Sequence, residues 1–520
     1  MTSAVSRPPL NFRRAPPVRQ VEKVAPDTTA TGPLQSASAL GRTRAAGRET
    51  SLLRDATAQQ AATGGVFVLA GLFLVSLLFP NQFLIFGLMF QPYKLWMAIL
   101  FIPLLVMFFQ GKAGKPILID WLMIGSTFWV LLSLLRNHGV GLTAITGGTY
   151  VLEFLGAYLL ARIAIRSAAD FRRMVQVIFV IILILMPFAV FEAFSGKPLL
   201  AQLIGADWVI KWLGERMGVR RTQTVFEHPI LFGAFISTAF GLVWYALIPN
   251  ASFVARMFLV SFVGFTTIFS MSTGAFLAIL VQMGLIGWEL VTRPHPKRWK
   301  IFGWLVVIGY LALDQITTRS PFHTLVHYAA FSSESSYNRI LIFEHGMANV
   351  RANPIFGIGF REWARPSWMK ASFDNFWLLT AMRHGVPAFL MFAGAIALII
   401  LRAGRQTMID PVDRACRAAY LTALGGLIIA GGTVHYWRAL FVFVVFIIGS
   451  GVWMFTGGAR SPAEASDSIP EKDPPAEGRR LNLACGRVQG GGQLHRPAAT
   501  ARALPRTGAL RRAEVVSRRT

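Results

Sequence analysis

Long apolar runs recur along most of this chain, and they constrain its fold more than any other feature. Twelve runs of about 15 to 20 residues stand out, the length that a helix needs to cross the hydrocarbon core of a bilayer. They occupy residues 65–79, 95–109, 119–135, 144–164, 174–194, 230–248, 255–269, 274–291, 301–313, 376–401, 418–433 and 440–455. Hydropathy does not alternate within them, as it does in membrane-barrel strands. The sequence therefore predicts an all-α polytopic membrane protein with about 12 transmembrane helices.

The composition agrees with a membrane bundle. Of 520 residues, 54% are hydrophobic and 15% are charged, which leaves too little polar surface to cover a soluble domain. Segment 81–91 is apolar but too short to span, so a re-entrant piece is expected there. Cys416 and Cys485 both fall on the predicted cytoplasmic side, so neither a disulfide framework nor a metal site is expected. No internal repeat is evident, which disfavours transporters built from inverted repeats.

The formal net charge of +26 is distributed in a way that reports topology. Lysine and arginine cluster in both tails and in alternate short loops, which is the positive-inside pattern. The loop residues are Lys112, Lys115, Arg162, Arg166, Arg172, Arg173, Arg256, Arg293, Lys297, Arg298, Lys300, Arg402, Arg405, Arg414 and Arg417. The pattern places both termini in the cytoplasm, in agreement with an even span count. It gives no support for nucleic-acid binding.

Two tails flank one membrane domain at residues 65–455. Residues 1–60 and 458–520 are rich in Arg and Pro and lack apolar periodicity, so both are expected to be disordered cytoplasmic tails. The membrane domain is expected to carry two larger outer loops, 195–229 and 314–373. Because no soluble catalytic module is visible, any chemistry is expected in the bundle and these loops.

Arginine stands in both predicted outer loops, where polytopic proteins usually carry few positive charges. Arg220 and Arg221 lie shortly before the run that starts at Ile230, and Arg339 lies in the larger loop. Guanidinium groups bind phosphate oxygens in a bidentate fork and stay charged at physiological pH. We therefore predict a phosphate-binding site at the outer face, with Arg216 as a weaker candidate. Binding of anionic lipid headgroups is the alternative.

Polar residues at two predicted helix starts are candidates for proton transfer. His228 precedes Pro229, where it could act as a general base or phosphate ligand, or else cap the helix. Asp374 and Asn375 are expected to cap the helix that follows them. The Asp374 carboxylate could alternatively take a proton from a sugar hydroxyl at the floor of an outer vestibule.

Two predicted turns could support such a site. Ser272 and Thr273 could cap the helix that follows a tight outer turn, and a plain turn is the alternative. Residues 340–350 read as an amphipathic helix. Segment 353–359 follows with a Gly-x-Gly backbone that allows a loop to approach a ligand closely.

Four ionisable residues are expected within the membrane. Arg383 and His384 follow the start of the run 376–401, and an unpaired charge at that depth usually faces a cavity or a partner. Glu153 and Glu192 are the candidate partners, and the sequence does not pair them. Charged residues at mid-membrane would also suit a transporter that moves lipid-linked sugars.

Together these elements resemble the O-antigen ligase and polymerase superfamily, and exopolysaccharide repeat-unit polymerases in particular. The resemblance covers roughly residues 65 to 455. It rests on 221–229 with Gly233, the turn 270–274, Arg339 with 353–359, and Asp374-Asn375 with Gly385. Many ligase members carry His-Asn where this chain has Asp374-Asn375. This departure puts the ligase base in doubt and favours the polymerase branch.

The resemblance implies a GT-C-like fold and an inverting glycosyl transfer that needs no metal or cofactor. The donor would be a saccharide on undecaprenyl pyrophosphate at the outer face of the bacterial inner membrane. Arg221 and Arg339, with Arg220, would hold the pyrophosphate, and Asp374 or His228 would receive the proton of the acceptor glycan. Asn375, Ser272 and Thr273 would support the site.

Polymerisation of repeat units into exopolysaccharide or O-antigen is the function that this resemblance implies. A chain-length regulator and an exporter are possible further partners. The alternatives are an O-antigen ligase that transfers glycan to lipid A core, and a lipid-linked sugar transporter or flippase.

Overall fold

The computed structural model describes residues 65–85, 87–210, 215–216, 218–316 and 333–456. Its helices are α1 (Gly65–Ser76), α2 (Pro92–Phe109), α3 (Leu118–Leu142), α4 (Gly148–Val151), α5 (Ala157–Ala164), α6 (Ala168–Ser195), α7 (Leu199–Leu203), α8 (Pro229–Leu242), α9 (Phe253–Ile268), α10 (Thr273–Val291), α11 (Arg298–Ile316), α12 (Ser333–Ala352), α13 (Phe376–His384), α14 (Val386–Arg405), α15 (Pro411–Gly431) and α16 (Arg438–Ser450). Strands β1 (Phe83–Ile85) and β2 (Leu88–Phe90) form one antiparallel hairpin, and β3 (Glu215–Arg216) and β4 (Val219–Arg220) form another. The predicted disordered tails lie outside the described residues.

The described residues include eight helices that are long and apolar enough to cross a membrane. The chain is therefore an all-α polytopic membrane protein. Each of the twelve predicted runs overlaps a helix, and the count of twelve spans stays a prediction. Where the sequence predicts separate spans at 119–135 and 144–164, the structure has one helical stretch, Leu118–Ala164, which bends at Gly139 (φ 74°) and contains two π-helical segments.

Segment 81–91 is a β-hairpin, whereas the sequence predicts a re-entrant piece there. Phe83 pairs with Phe90 and Ile85 with Leu88 in an antiparallel register. Aromatic and β-branched side chains such as these favour strands. Pairing the two halves of the segment satisfies backbone groups that a short apolar helix would leave open at its ends.

Two helices lie at the centre of the bundle. Within the span Pro229–Leu247, 94% of the residues are buried, and within Arg438–Phe455 83% are. Both are apolar on all sides, as expected of helices enclosed by other helices. Close packing around α8 depends on Gly233, because a Cβ there would lie 2.5 Å from Ser270 Oγ and 2.9 Å from Ala275 Cβ. The turn before α10 is therefore pressed against the start of α8.

The second predicted outer loop carries its own apolar core. Leu341, Ile342 and Val350 of α12 pack with Trp363, and with the α13 residues Leu378, Leu379 and Met382. Asn349 fixes the loop by accepting from the backbone N–H of Ala364 (2.9 Å) and donating to its carbonyl oxygen (2.9 Å). The helix predicted at 340–350 is confirmed as part of α12. This core holds α12 and α13 in place at one end of the bundle.

The run predicted at 376–401 is broken at Gly385. Gly385 has φ 86°, a conformation that favours glycine, and it separates α13 from α14. A Cβ on this residue would lie 1.9 Å from the carbonyl oxygen of Ile355. Only a glycine therefore lets segment 353–359 pass against the break.

We expect Gly385→Ala to destabilise the fold by at least about 2 kcal/mol, because it combines a left-handed backbone with a backbone clash. The measurement is the unfolding temperature of the purified protein in detergent. Gly303→Ala is the matched control, since nothing lies within 4 Å of a Cβ built there. Equal unfolding temperatures for the two variants would contradict the role given to Gly385.

Candidate functional site

The first predicted outer loop is anchored residue by residue around Arg221. The backbone N–H of Thr222 donates to the carbonyl oxygen of Phe269 (2.9 Å), and Gln223 Nε2 donates to that of Val209 (2.7 Å). The Glu192 carboxylate accepts from the backbone N–H groups of Gln223 (3.2 Å) and Thr224 (2.9 Å). These bonds connect the loop to α6 and to the end of α9, so the backbone that carries Arg221 is held in place.

Glu192 and Glu153, the candidate partners that the sequence did not pair, form no pair with Arg383 or His384. Glu192 is occupied by the loop backbone just described. Glu153 accepts from Tyr93 Oη (3.0 Å) and forms an ion pair with Lys94 Nζ (3.3 Å). Both carboxylates therefore have structural partners of their own.

Arg221 and Arg339 are partly buried, and each has guanidinium nitrogens without a hydrogen-bond partner. In Arg221 these are Nε and Nη2, and in Arg339 they are Nε and Nη1. Burial lowers the pKa of Arg221 to about 10 and that of Arg339 below its usual value, so both stay cationic at neutral pH. Buried polar groups in proteins are nearly always hydrogen-bonded. Unpartnered donors on two neighbouring cations are what a bound anion would satisfy.

Arg216, the weaker candidate from the sequence, shares this site. Its Nη1 donates to the carbonyl oxygen of Met271 (3.0 Å), and its charge lowers the pKa of Arg221, of Arg339 and of Asp374. Arg220 lies on the other side of the loop. A Cβ on Gly196 would be 3.1 Å from Arg220 Nη1, and Arg220 interacts with Glu192.

The register of the β3–β4 hairpin explains why Arg216, and not Arg220, lies near Asp374. Glu215 pairs with Arg220 and Arg216 with Val219, so Arg216 and Arg220 stand on opposite faces. Arg221 follows Arg220 and therefore falls toward the face of Arg216.

Asp374 lies among these arginines and does not cap a helix. The N-cap of α13 is Asn375, whose side chain accepts from the backbone N–H of Leu378 (3.0 Å). Burial raises the pKa of Asp374 although the charges of Arg339, Arg221 and Arg216 lower it. Among the described residues, no arginine nitrogen is within ion-pair distance of the Asp374 carboxylate. The Asp374 carboxylate and the three guanidinium groups are therefore close enough to interact electrostatically but form no ion pair.

His228 occupies the N-cap of α8. Its Nδ1 accepts from the backbone N–H of Ile230 (3.1 Å), and its ring contacts Trp437 with a centroid distance of 5.9 Å. Of the two roles that the sequence left open, capping is the one this bond performs.

Ser272 stands at the N-cap of α10, but its side chain makes no capping hydrogen bond. Thr273 Oγ1 is buried and has no hydrogen-bond partner. Of the two interpretations, the plain turn therefore holds for Ser272 and the side-chain cap does not. The physical reason is the packing of this turn, since a Cβ on Gly274 would lie 2.3 Å from Val434 Cγ2.

Segment 353–359 approaches a helix end, whereas the sequence suggested approach to a ligand. The backbone N–H of Ile358 donates to the carbonyl oxygen of Met382 (2.9 Å), and that of Gly359 to Arg383 (2.8 Å). A Cβ on Gly357 would lie 2.5 Å from the Arg383 backbone. The glycines therefore let the loop cap the carbonyl groups at the end of α13.

Arg383 and His384 end α13, before the span Val386–Arg405 begins. The Arg383 guanidinium lies 5.2 Å from the centroid of the Phe360 ring, and the His384 ring contacts Tyr150 at 5.8 Å. These residues were expected inside the membrane because the run 376–401 reads as one helix. The break at Gly385 ends α13 beside the loop 353–360, and the location of these two residues within the membrane stays a prediction.

The loop 432–437, for which the sequence gives no site candidate, packs against the start of α13. Val434 accepts from the backbone N–H of Phe376 (3.1 Å). The His435 ring stacks on Trp437 (5.4 Å) and faces Phe376 (6.4 Å), and its Nδ1 is buried without a partner. Burial lowers the pKa of His435 to about 3, so the ring is neutral at physiological pH. A His beside two aromatic residues in a short loop was the available signal.

The cluster of Arg216, Arg221, Arg339 and Asp374 can bind an anion and accept a proton at adjacent points. Three positive charges face one carboxylate, so the cluster is net positive. Asp374 has the raised pKa of a group that can exchange a proton. Among the described residues, no group of three or more His, Cys, Asp or Glu side chains is placed to hold a metal ion.

Part of the chain matches a known protein family. Residues 257–393 match the family described as O-antigen ligase. The matched segment contains Ser272, Thr273, Arg339, Asp374 and Asn375, and it excludes Arg216, Arg221 and His228. No curated protein matches the chain. Members of the matched family are glycosyltransferase-like enzymes that act on lipid-linked glycans. Over these residues the chain is similar to the O-antigen ligase family, in agreement with the resemblance to the O-antigen ligase and polymerase superfamily.

Proposed function

We propose that this protein polymerises saccharide repeat units carried on undecaprenyl pyrophosphate, at the outer face of the bacterial inner membrane. The observation that carries the proposal is the pair Arg221 and Arg339, whose buried guanidinium nitrogens have no partner and flank Asp374. A pyrophosphate group supplies acceptor oxygens for both arginines. The product is exopolysaccharide or O-antigen.

The reaction is a direct displacement at the anomeric carbon of the donor. An acceptor hydroxyl oxygen forms the new glycosidic bond to this carbon, and the bond from the carbon to the pyrophosphate oxygen breaks. The electron pair of the broken bond remains on the pyrophosphate, where Arg221, Arg339 and Arg216 stabilise the developing charge. Asp374 receives the proton of the hydroxyl. Polyprenyl pyrophosphate leaves, and the configuration at the anomeric carbon inverts.

The arginines supply the charge stabilisation for which other glycosyltransferases use a divalent cation. Folding has already removed much of the water around these arginine side chains, so they need little rearrangement as the charge develops. A chain-length regulator and an exporter would act on the product. The transporter alternative has less support, because the cationic cluster and Asp374 supply the groups that a glycosyl transfer needs.

The length of the glycan on undecaprenyl pyrophosphate in cells that lack the protein tests the proposal. We expect single repeat units to accumulate at the outer leaflet, with no long chains. Long chains that remain on the lipid would instead indicate a ligase. Units that stay on the cytoplasmic leaflet would indicate a transporter, and the enzymatic proposal would be wrong.

The substitution His228→Asn distinguishes a role of His228 as general base from its role as the N-cap of α8. Asparagine is a good N-cap residue and cannot act as a general base near neutral pH. We expect the variant to keep its polymerisation rate within roughly threefold of wild type, because Asn preserves the cap of α8. His228→Leu serves as the comparison that removes the cap. A loss of activity in His228→Asn as large as that in Asp374→Asn would assign proton transfer to His228.

A further inference from the structure

An apolar groove lies between α10 and α11, toward the end of the bundle opposite Arg221. Its volume is about 420 Å³, and its walls include Gly284, Leu285, Gly287, Trp288, Val291 and Phe302. Arg216 bonds to Met271 just before α10 starts, and this helix then runs for 19 residues. At the rise of an α-helix that length is roughly 28 Å. The groove therefore approaches the membrane surface opposite Asp374, which the positive-inside pattern predicts to be cytoplasmic.

The protein leaves this groove open. A Cβ built on Gly284 or Gly287 would meet nothing within 4 Å. No residue of α11 is buried, and the contacts that join this helix to α10 include a ring contact between Trp288 and Phe302 (5.5 Å). Apolar side chains beside an empty space lose dispersion contacts, so a groove of this kind in a membrane is filled by hydrocarbon. The groove therefore suits the acyl chain of a lipid.

Cations collect at the open end of the groove. Arg298 forms an ion pair with Glu289 (3.7 Å), and its Nη1 donates to the carbonyl oxygen of Arg293 (3.0 Å). Arg256 interacts electrostatically with Arg293 and Glu289, and Arg417 interacts with Arg298 and Glu289. Four guanidinium groups from α9, α11, α15 and the connection between α10 and α11 therefore share one carboxylate.

Backbone contacts fix two of these guanidinium groups in place. Arg256 donates to the carbonyl oxygens of Pro249 (2.6 Å) and Ala251 (3.2 Å), and Arg417 Nη1 donates to that of Gln406. Within the part of the chain that the structure describes, neither arginine lies within ion-pair distance of a carboxylate. Their positive charge is therefore positioned but not neutralised.

Two tryptophans at this end of the bundle have buried indole N–H groups without an acceptor. They are Trp288, in the groove wall, and Trp244, which is 3% exposed. The residue after each of them joins the two helices, because Tyr245 Oη donates to the Glu289 carboxylate. Trp244 and Tyr245 lie in the π-helical segment Val243–Leu247, and such segments are rare and frequent at functional sites. Indole donors beside cations at a membrane surface match the oxygens of a lipid headgroup.

We propose that the groove and the arginines Arg256, Arg293, Arg298 and Arg417 bind an anionic phospholipid of the leaflet opposite Asp374. One acyl chain lies in the groove, and the phosphate lies among the arginines. Four guanidinium groups opposite one carboxylate leave more positive charge than a single phosphodiester balances, so a headgroup with two phosphates is preferred. Basic pockets between transmembrane helices recognise such lipids. This site is separate from the proposed glycosyl transfer and does not depend on it.

Native mass spectrometry of the full chain in detergent tests the site. The lipid probes are cardiolipin, which has two phosphates, phosphatidylglycerol, which has one, and zwitterionic phosphatidylethanolamine. Inorganic phosphate is the probe without an acyl chain. Gly287→Leu fills the groove, and Gly264→Leu is its control on α9, since a Cβ at either position would meet nothing within 4 Å.

Two double variants test the headgroup. Arg293→Gln combined with Arg298→Gln removes two charges from the basic end of the groove. Lys112→Gln combined with Lys115→Gln removes two charges from another loop on the same predicted side of the membrane. The second variant is the control for loss of positive charge elsewhere on this surface.

We expect the wild-type chain to bind cardiolipin more tightly than phosphatidylglycerol, and phosphatidylethanolamine least. Gly287→Leu should weaken cardiolipin binding by roughly tenfold, which corresponds to about 1.4 kcal/mol, whereas Gly264→Leu should not. The double arginine variant should weaken it by roughly thirtyfold. The double lysine variant should stay within roughly threefold of wild type, because charges far from the groove are screened.

A cardiolipin with a photoreactive group on one acyl chain gives a measurement on the wild-type chain itself. It should label peptides from residues 281–302, and phosphatidylethanolamine should not compete. Labelling confined to other peptides would contradict the site even if Gly287→Leu failed to fold.

Three other results would overturn the inference. Equal cardiolipin binding by wild type and Gly287→Leu would exclude the groove. Equal losses in the double arginine and double lysine variants would mean that bulk positive charge attracts the lipid. Displacement of cardiolipin by inorganic phosphate as readily as by phosphatidylglycerol would make the cluster a site for free phosphate. All these readouts measure binding and not sugar transfer, so they stand apart from the test of the proposed function.

Discussion

Replacing Arg221 or Arg339 by alanine is expected to abolish polymer formation, with a loss of at least about a hundredfold in rate for each. Each guanidinium group has buried nitrogens without a partner, so it is already partly desolvated and available for the charge that develops on the leaving pyrophosphate. The measurement is the initial rate of polymer formation from lipid-linked repeat units in reconstituted vesicles, at matched protein level.

Arg351→Ala is the control for these variants. Arg351 lies on the same helix as Arg339 but is exposed to solvent, and its removal should change the rate little. Arg221→Lys and Arg339→Lys should recover only part of the activity, because lysine keeps the charge but cannot form a bidentate fork. Normal polymer from either alanine variant would remove that arginine from the mechanism. Arg216→Ala is expected to cost more activity than Arg220→Ala, since only Arg216 shares the field of Asp374.

Asp374→Asn is expected to remove the group that accepts the proton of the acceptor hydroxyl. The expected loss of rate is about a hundredfold to ten-thousandfold, the range of general base catalysis. In wild type the rate should fall toward acid pH, because a base acts only in its deprotonated form. Burial raises the pKa of Asp374, so this acid limb should lie at a higher pH than that of an ordinary aspartate. The measurement is the pH dependence of kcat and of kcat/KM for the donor.

Binding of the donor should move the acid limb of the pH dependence to still higher pH. In the free enzyme Arg339, Arg221 and Arg216 lower the pKa of Asp374 against the effect of burial. A bound pyrophosphate neutralises these cations and adds negative charge, both of which raise the pKa of the carboxylate. The acid limb of kcat, which reports the bound enzyme, should therefore lie at higher pH than that of kcat/KM. Coinciding limbs would place Asp374 outside the field of the bound pyrophosphate.

The stability of Asp374→Asn distinguishes a catalytic carboxylate from a structural one. Because the folded protein raises the pKa of Asp374, it disfavours the charged form, and this penalty is present at pH values above the folded pKa. The neutral amide should therefore unfold at the same temperature as wild type at pH 7, or slightly higher. A marked loss of stability would mean that Asp374 holds the loop and that its loss of activity is indirect.

The chain alone indicated the membrane spans and the two arginine-bearing loops, because both depend on local properties. A run of apolar residues long enough to cross a bilayer needs no knowledge of its neighbours. Arg221, Arg339 and Asp374 could be selected as separate candidates, since Arg is unusual in predicted outer loops. The family resemblance followed from the order and spacing of these elements, and the match over 257–393 agrees with it.

Assignments that depend on direction or on long-range contact could not be made from the chain. Arg216 and Arg220 are four residues apart, and only the pairing of β3 with β4 decides which faces Asp374. Asn375 and Asp374 are adjacent, and only the backbone at the start of α13 makes Asn375 the cap. The loop 432–437 reaches the start of α13 through the bond from Phe376 to Val434, between segments almost sixty residues apart.

The sequence by itself determined that this protein is a helical membrane bundle with cationic loops, because hydrophobic length and charge asymmetry act on each segment independently. The tertiary structure decided that Arg216, Arg221, Arg339 and Asp374 form one cluster, and that Arg383 and His384 lie apart from it at the other end of α13. The physical reason is that the pKa of a carboxylate and the charge of an anion site depend on burial and on distances between segments. Those quantities arise only when the segments pack.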